Sequence, residues 1–525
     1  MKRALALIFA LVVLPLGALC EAALPEPEAE ATQLLLGEAT AEYFAEVTLH
    51  YAASDGVSLA PASRTLLVQS GETLLDVALE ALLEPTGGAA QASVVPGDAR
   101  VISREVSGAL VTVDLSIDAR NVQSEQELLR MYLAIAGTLL ELEGVEGVNV
   151  LIGGREEGLL GLPCGVFTDV GEDVTTVWAQ MQAEADRYLG NAQGSVTRVA
   201  ALYFPSEDGN WLVPETREVT FGEDGCARAL VDALCAGPAA LSCARALSPT
   251  GTLLAGDPAL TVTGEGERVL QLNLSGEALA AAEAGGVQMW QVCGALTLTL
   301  CSFYPELDAV RLNVDGVPVV EAPRGDAILS FDESGLRRRD LSGYIGSVAR
   351  LYLADAAGEL VLREVAMSQG EALSPRALLA ALFSTETAAV LGAVSPVPAA
   401  LDETDILGVR VRDGVATVDL SAINEDTLDD LFYSYGGDEE IAGNARLFLN
   451  KADLKAMGKI RGTADKNRVF KVHPDTGNPN TGMIEDGGNF VPYTIVSALT
   501  ALSDSTAGAS PIQTMLYGSP MNYIL

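Results

Sequence analysis

Three short strings along this chain alternate apolar and polar positions in the same way: Val111-Thr112-Val113-Asp114-Leu115-Ser116, Leu270-Gln271-Leu272-Asn273-Leu274-Ser275 and Ala416-Thr417-Val418-Asp419-Leu420-Ser421. They lie 159 and 146 residues apart. A period of two is the mark of a strand with one face buried and one wet, so each string predicts a half-buried strand, and the spacing predicts three copies of one unit.

The flanking pattern repeats as well. Each copy opens on a strand that runs into a polar turn, "VTLHYAASDGVSL" from Val47, "AALYFPSEDGNWL" from Ala200 and "ARLYLADAAGELV" from Ala349, and a helix follows from Thr73, Ala227 and Ser374. Asp-Gly and Gly-Glu steps supply the turns, and Pro85 and Pro238 close the first two helices. Beyond the Asp-Leu-Ser string, Leu128, Met131, Tyr132, Ile135 and Leu139 in copy one and Met289, Val292, Cys293, Leu296 and Leu300 in copy two step by i, i+3, i+4, i+7, i+11. That is the stripe of a second helix lying on a sheet, with Met289, Cys293 and Leu296 expected to be buried. Closing strands start at Val148 and Val310. With a short strand at 99–104, the unit reads β-α-β-β-α-β, a small sheet with two helices on one face, and the fold class is α+β.

The Leu-Tyr-Phe strand, Pro214-Glu215 with Arg217, Gly237-Pro238, the Asp-Leu-Ser strand and the Val-Asp-Gly strand end together resemble the GerM, or germane, domain family. The resemblance covers 45–155 and 197–320 fully and 347–421 in part, as a truncated third copy. It implies a ring-building-motif-like fold in tandem, a place in sporulation or spore germination, and action by assembly with protein partners or with itself. Copy one departs from the pattern by lacking Gly-Pro, and copy two has Asn273 in place of Asp. Residues 156–196 and 321–346 are read as linkers, the second holding the basic run Arg337-Arg338-Arg339, which reads as a solvated charge cluster, an acidic neighbouring subunit being the alternative.

At the N-terminus, Lys2-Arg3 and the apolar run from Ala4 to Ala18 read as an export signal over 1–23, followed by an acidic linker over 24–44. Cys20 is a candidate lipidation site, although Leu19 before it is bulkier than a lipobox prefers; ordinary cleavage near 20–23 is the alternative. The expected location is extracytoplasmic, in the cell envelope, with membrane contact only through such a lipid anchor.

The composition changes near the end. Five of the six lysines lie between Lys451 and Lys471, and eight of the fourteen asparagines follow Ser421. Residues 422–525 resemble a fragment of a tailed-phage major capsid protein, through "LFLNKADLKAMGKIRG" from Leu447, "HPDTGNPNTGMIEDGG" from His473 and "MLYGSPMNYIL" from Met515. This places a chimeric junction between Leu420 and Asn424 and predicts that 424–486 packs sparsely, with Leu378, Leu379 and Leu382 short of cover. The rival reading is an insertion in copy three, with "YTIVSALTAL" from Tyr493 as a delayed second helix.

With 71 acidic against 32 basic side chains the chain carries a formal charge of -39, which repels nucleic acid and anionic lipid. Its two histidines, His50 and His473, offer no triad; no phosphate loop or nucleophile elbow occurs. Asp114 and Asp419 read as turn or capping residues, and His50 as a surface or edge-strand residue. Cysteine pairs of the zinc or redox type are missing; Cys293 and Cys301, at helical core spacing, read as small buried apolar residues, and a disulfide among Cys226, Cys235, Cys243, Cys293 and Cys301 is the alternative. No catalytic, cofactor-binding or metal-binding residue is expected. The rival class is a ligand-binding or enzymatic envelope protein that uses a cleft between repeats, or a phage structural protein if the tail dominates.

Overall fold

The first unit begins with a hairpin of β1 (Tyr43–Ala52) and β2 (Leu59–Val68) in the computed structural model. The structure describes residues 36–420, apart from short stretches such as 84–93, together with segments 471–475, 478–486, 489–494 and 523–524. The export signal, Cys20 and residues 421–470 lie outside the described residues. Asp55 makes the hairpin turn, its carboxylate accepting from the N–H groups of Val57 and Ser58 at 2.9 and 2.8 Å.

Helix α1 (Leu74–Leu83) follows, with Thr73 Oγ1 accepting the Asp76 N–H at 3.0 Å as its cap. β3 (Val101–Ser107) and β4 (Leu110–Leu115) form a second hairpin, and α2 (Glu125–Leu140) crosses back to β5 (Gly147–Ile152), which pairs with β4 in parallel. A parallel neighbour cannot be reached by a tight turn, so the helix between them is the connection the topology requires. Each unit therefore starts with two strands, where the sequence pattern predicts one. The second strand was not legible because β2 alternates in exposure but not in residue type: Pro61, Ser63, Thr65 and Leu67 are exposed, and the covered positions between them hold Ala60, Ala62 and Arg64 as well as Leu66 and Val68.

Residues 156–196, read from sequence as a linker, are built into the fold. Leu159, Leu162, Cys164 and Val166 are buried, and α3 (Val174–Gly190) sends Val174 and Met181 into the first core. The second unit repeats the first: β6 (Val196–Pro205), β7 (Leu212–Phe221), α4 (Cys226–Ala236), β8 (Ala259–Val262), β9 (Arg268–Leu274), α5 (Gly276–Ala284), α6 (Met289–Cys301), β10 (Ala309–Val314) and β11 (Val317–Pro318). Its sheet runs β11-β10-β9-β8, with β10 parallel to β9. Ser275 of the Asn-Leu-Ser string caps α5 by accepting the Ala278 N–H at 3.3 Å.

Both predicted helix stripes are covered. Leu128, Met131, Tyr132, Ile135 and Leu139 are buried, as are Val292, Cys293, Leu296 and Leu300. Met289 is the exception, half-buried because it opens its helix at the rim.

The stretch 321–346 is also no linker. β12 (Glu321–Arg324) and β13 (Ala327–Ser330) form a ribbon, and a 3-10 turn follows over Arg338–Tyr344. Arg324 fastens the ribbon, its guanidinium lying 4.8 Å from the Trp290 ring centre and 4.5 Å from that of Tyr344.

The third unit has β14 (Gly346–Ala354), β15 (Leu360–Ser368), α7 (Gln369–Ala372), α8 (Pro375–Phe383), α9 (Thr385–Val390), β16 (Ile406–Arg412) and β17 (Val415–Leu420). Leu378 and Leu379 are buried and Leu382 is partly so, contrary to the expectation of a bare face. The β16–β17 hairpin supplies the cover through Ile406 and Val418. In the tail, β18 (Lys471–Asp475), β19 (Asn478–Asp486) and β20 (Asn489–Thr494) form a meander, and β21 (Tyr523–Ile524) pairs with β17. Tyr493 and Thr494 thus belong to a strand rather than to the start of a helix, and the rest of that proposed helix lies outside the described residues, as do the side chains on which the sparse-packing expectation for 424–486 rests.

The units are not strung out like beads. The core of the second reaches Leu110, Leu162 and Val166 on one side and Val348 and Ala366 on the other, while β14 packs on both β3 and β7.

Candidate functional site

The junction between the repeats is built around Arg338. Its side chain is 5% exposed and donates to Ser302 Oγ at 2.9 Å, to the Tyr203 hydroxyl at 3.0 Å and to the Glu105 carboxylate. One guanidinium thus joins β3 of the first unit, β6 and the end of α6 in the second, and the lead into the third. Burial works against its charge, but Glu105 and the Tyr203 hydroxyl outweigh it and hold Arg338 firmly protonated. The sequence reading of Arg337 to Arg339 as a solvated linker cluster therefore fails at its middle member. Arg337 pairs with Glu267 at 2.8 Å, and Arg339 remains 75% exposed.

A second seam runs along 153–166. Arg155 pairs with Asp308 and Glu157, and Arg120 with Glu157. The backbone joins too, Glu156 N–H donating to Cys301 O at 3.0 Å and Glu306 N–H to Glu156 O at 2.7 Å. Gly158 has φ +69°, and a Cβ there would sit 2.8 Å from both Leu162 O and Pro305 Cβ, so only glycine permits this approach. The Glu156 side chain is fully buried. Its Oε1 accepts from Gly158 and Cys164 N–H at 3.0 and 3.1 Å, whereas Oε2 has no partner. Burial pushes its carboxyl up to about 7 against the pull of those two N–H groups.

Within the first two units the repeat residues close the sheet. Asp114 Oδ1 accepts the Gly154 N–H at 2.8 Å, and Asn273 Oδ1 accepts the Gly316 N–H at 2.8 Å. The turn role expected of Asp114 is thus a clasp across 40 residues of chain. Glu215 does comparable work in the second unit, accepting from the N–H groups of Ala239, Ala240 and Leu241 just past Gly237-Pro238. Burial would raise its pKa, but the Ala240 and Ala239 bonds and Arg217 outweigh that and hold the carboxyl below its ordinary value. Arg217 also donates to Gly237 O at 2.8 Å.

Two threonines escaped the sequence reading. Thr138 Oγ1 accepts the His50 N–H, and Thr299 Oγ1 the Tyr203 N–H, each at 3.0 Å. A fully buried hydroxyl on the second helix thereby satisfies a strand N–H in both units. Their shared register, one position before Leu139 and Leu300, was the available signal. His50 is half-buried over Gly137, where a Cβ would meet its Nδ1 at 3.0 Å, and burial lowers its pKa. His473 lies in β18.

Between the units opens a cleft of about 740 Å³, lined by Glu125, Leu128 and the 157–163 segment, by Tyr188, and by Phe221, Cys226, Arg228, Leu260, Arg268 and Tyr304 of the second unit. Arg228 pairs with Asp257 at 2.5 Å and Arg268 with Glu306 at 2.6 Å. Burial pushes the Cys226 thiol well above its ordinary value, which keeps it protonated and a poor nucleophile. Cys164, Cys226, Cys235, Cys243, Cys293 and Cys301 are all free and buried, and a disulfide among them is not formed. Among the described residues no group of three or more His, Cys, Asp or Glu is placed to hold a metal ion, and no helix is long and apolar enough to cross a membrane.

The family model described as Germane, sporulation and spore germination, matches this chain twice, over residues 48–158 and 201–320. No curated protein matches. Among solved structures, the tandem GerMN domains of the sporulation protein GerM from Bacillus subtilis are 17% identical, covering 52% of this chain and 92% of that one at a TM-score of 0.21. A candidate lipoprotein from Clostridium perfringens is also 17% identical, covering 22% of this chain and 78% of its own at a TM-score of 0.15.

Proposed function

We propose that this chain is an extracytoplasmic, non-catalytic scaffold in sporulation or spore germination, in which two Germane units and a third, partial one act as a single rigid body. The observation that carries this reading is the Arg338 junction. A charged group buried against Glu105 and Tyr203 fixes the relative position of the units, as a template for assembly requires, and gives no route to chemistry. The export signal and the lipid anchor at Cys20 belong to the same proposal. Deletion of the gene in a sporulating host is expected to lower spore yield or germination, with restoration by the intact allele and not by one carrying Arg338→Ala. Normal sporulation in the deletion strain would overturn the reading.

The cleft favours a second reading, ligand capture between the units, because it combines paired charges with tyrosine rings. Residues 422–525 are read as a foreign addition on the strength of the lysine and asparagine shift, and as capsid-like on the strings from Leu447, His473 and Met515 alone. One sequencing read spanning codons 400–440 tests this: a break there makes the joint an artefact of assembly.

A further inference from the structure

The outer edge of the second unit's sheet is bare. β8 is the last strand in the order β11-β10-β9-β8, and all four of its residues are exposed. Edge strands in soluble proteins are commonly kept short or blunted by charge, proline or a bulge; β8 is short and follows Pro258, but its own residues, Ala-Leu-Thr-Val, carry none of these blunting groups.

Its ladder shows which groups are free. Thr263 N–H donates to Glu267 O at 2.9 Å, so that pair is hydrogen-bonded. Alternation in an antiparallel ladder makes Thr261 and Val269 bonded as well, and leaves Leu260 opposite Leu270 and Val262 opposite Arg268 in non-bonded pairs. The N–H and C=O groups of Leu260 and Val262 therefore face the open edge. Leu260 also lines the cleft, so a strand laid along this edge would drop alternate side chains into it. The corresponding strand of the first unit, β3, is an edge strand too, but β14 of the third unit packs on it and its last two residues, Val106 and Ser107, are buried.

We infer that the β8 edge and its cleft take an extended segment of another protein as an added strand, one in which apolar side chains alternate with basic ones. The inference rests on the scaffold reading for its setting and names the partner chemistry that reading lacks. Charge selects the occupant. Of the four carboxylates that line the cleft, Asp257 and Glu306 pair with its two arginines and Glu157 with Arg120 and Arg155, which leaves Glu125 without an arginine inside a chain whose overall charge is -39; Asp257 is still 93% exposed. A second copy of a chain at -39 would be repelled, whereas a basic strand is drawn in.

The test uses the full chain and a fluorescein-labelled, end-blocked peptide of alternating lysine and valine, seven residues or so long. Anisotropy should show saturable binding, and hydrogen exchange at the Leu260 and Val262 amides should slow when the peptide is present. Val262→Pro removes one outward N–H without touching the β9 ladder, and is expected to weaken binding by about tenfold while leaving thermal unfolding unchanged. Should that variant fail to fold, the wild-type chain with a probe N-methylated at alternate amides gives the same reading, since the methylated probe cannot pair. No binding, equal binding by Val262→Pro or by the methylated probe, or equal binding of an alternating glutamate and valine peptide would each overturn the inference. So would self-association of the chain that Val262→Pro abolishes, because the occupant would then be a second copy. A negative result here beside a sporulation defect in the deletion strain would sink the strand site and leave the scaffold standing.

Discussion

The Asp114 carboxylate, near the end of β4, accepts the N–H of Gly154, which lies just past the end of the parallel strand β5, at 2.8 Å. Parallel neighbours have no hairpin turn to fix their ends, so this bond sets where the two strands stop together. The second unit makes the same bond with an amide, Asn273, so the carbonyl oxygen is what the site needs and the charge is incidental. Asp114→Asn should change the stability of the first unit by less than about 1 kcal/mol, whereas Asp114→Ala should cost ~1–3 kcal/mol by stranding the Gly154 N–H. Urea titration of both variants checks the contrast, and equal losses would show that charge matters after all.

Removal of Arg338 leaves Glu105 and the Tyr203 hydroxyl facing each other without their cation. Arg338→Ala is expected to cost roughly 3–5 kcal/mol, the scale for breaking a buried pair from one side. It should also divide one unfolding transition into two, since the units lose a fastener they share. Calorimetry that shows a single, slightly shifted transition would contradict this.

Glu156 gives the fold a pH dependence of definite sign. Its carboxyl is raised from 4.5 to about 7 by burial, so between those pH values the folded chain holds a proton that the unfolded chain has released. Stability from this group is complete below about pH 4.5 and is lost as pH rises through about 7, by about 3 kcal/mol in all. Glu156→Gln should remove that slope while keeping the bonds from Gly158 and Cys164. Denaturation at pH 5 and pH 8 measures it, and an unchanged slope in the variant would assign the effect elsewhere.

The Thr138 and Thr299 hydroxyls each meet a strand N–H that no other group satisfies in the described structure. Thr138→Val and Thr299→Val keep the shape and delete the acceptor, and should cost ~1–3 kcal/mol each. Leu296→Ala, which opens a cavity in the same helix, should cost about 2–5 kcal/mol. Chemical denaturation of the three variants ranks them, and a threonine variant as stable as the parent would make its bond dispensable.

Periodicity made part of this architecture legible. The stripe from Leu128 to Leu139 and the three alternating strings are local patterns, imposed wherever one face of an element is dry. The clasp at Asp114 was legible as a turn residue but not as a clasp, since Gly154 lies 40 positions away. Arg338 was missed outright, because a buried arginine and a solvated one look alike in sequence until the partner is known. The segment 156–196 was mistaken for a linker for a related reason: Leu159, Leu162 and Val166 face two different units, so their burial follows no single period.

The pairing of Arg338 with Glu105 spans 233 residues of chain, and this sets an order of events during synthesis. The first unit is complete in sequence once α3 has been made, yet its Glu105 has no Arg338 to pair with until the whole second unit has followed. The contact of Gly158 with Pro305 imposes the same wait. The first unit therefore matures as a guest of the second, and a chain cut short anywhere between the two leaves an acidic group poised over a surface that is not there.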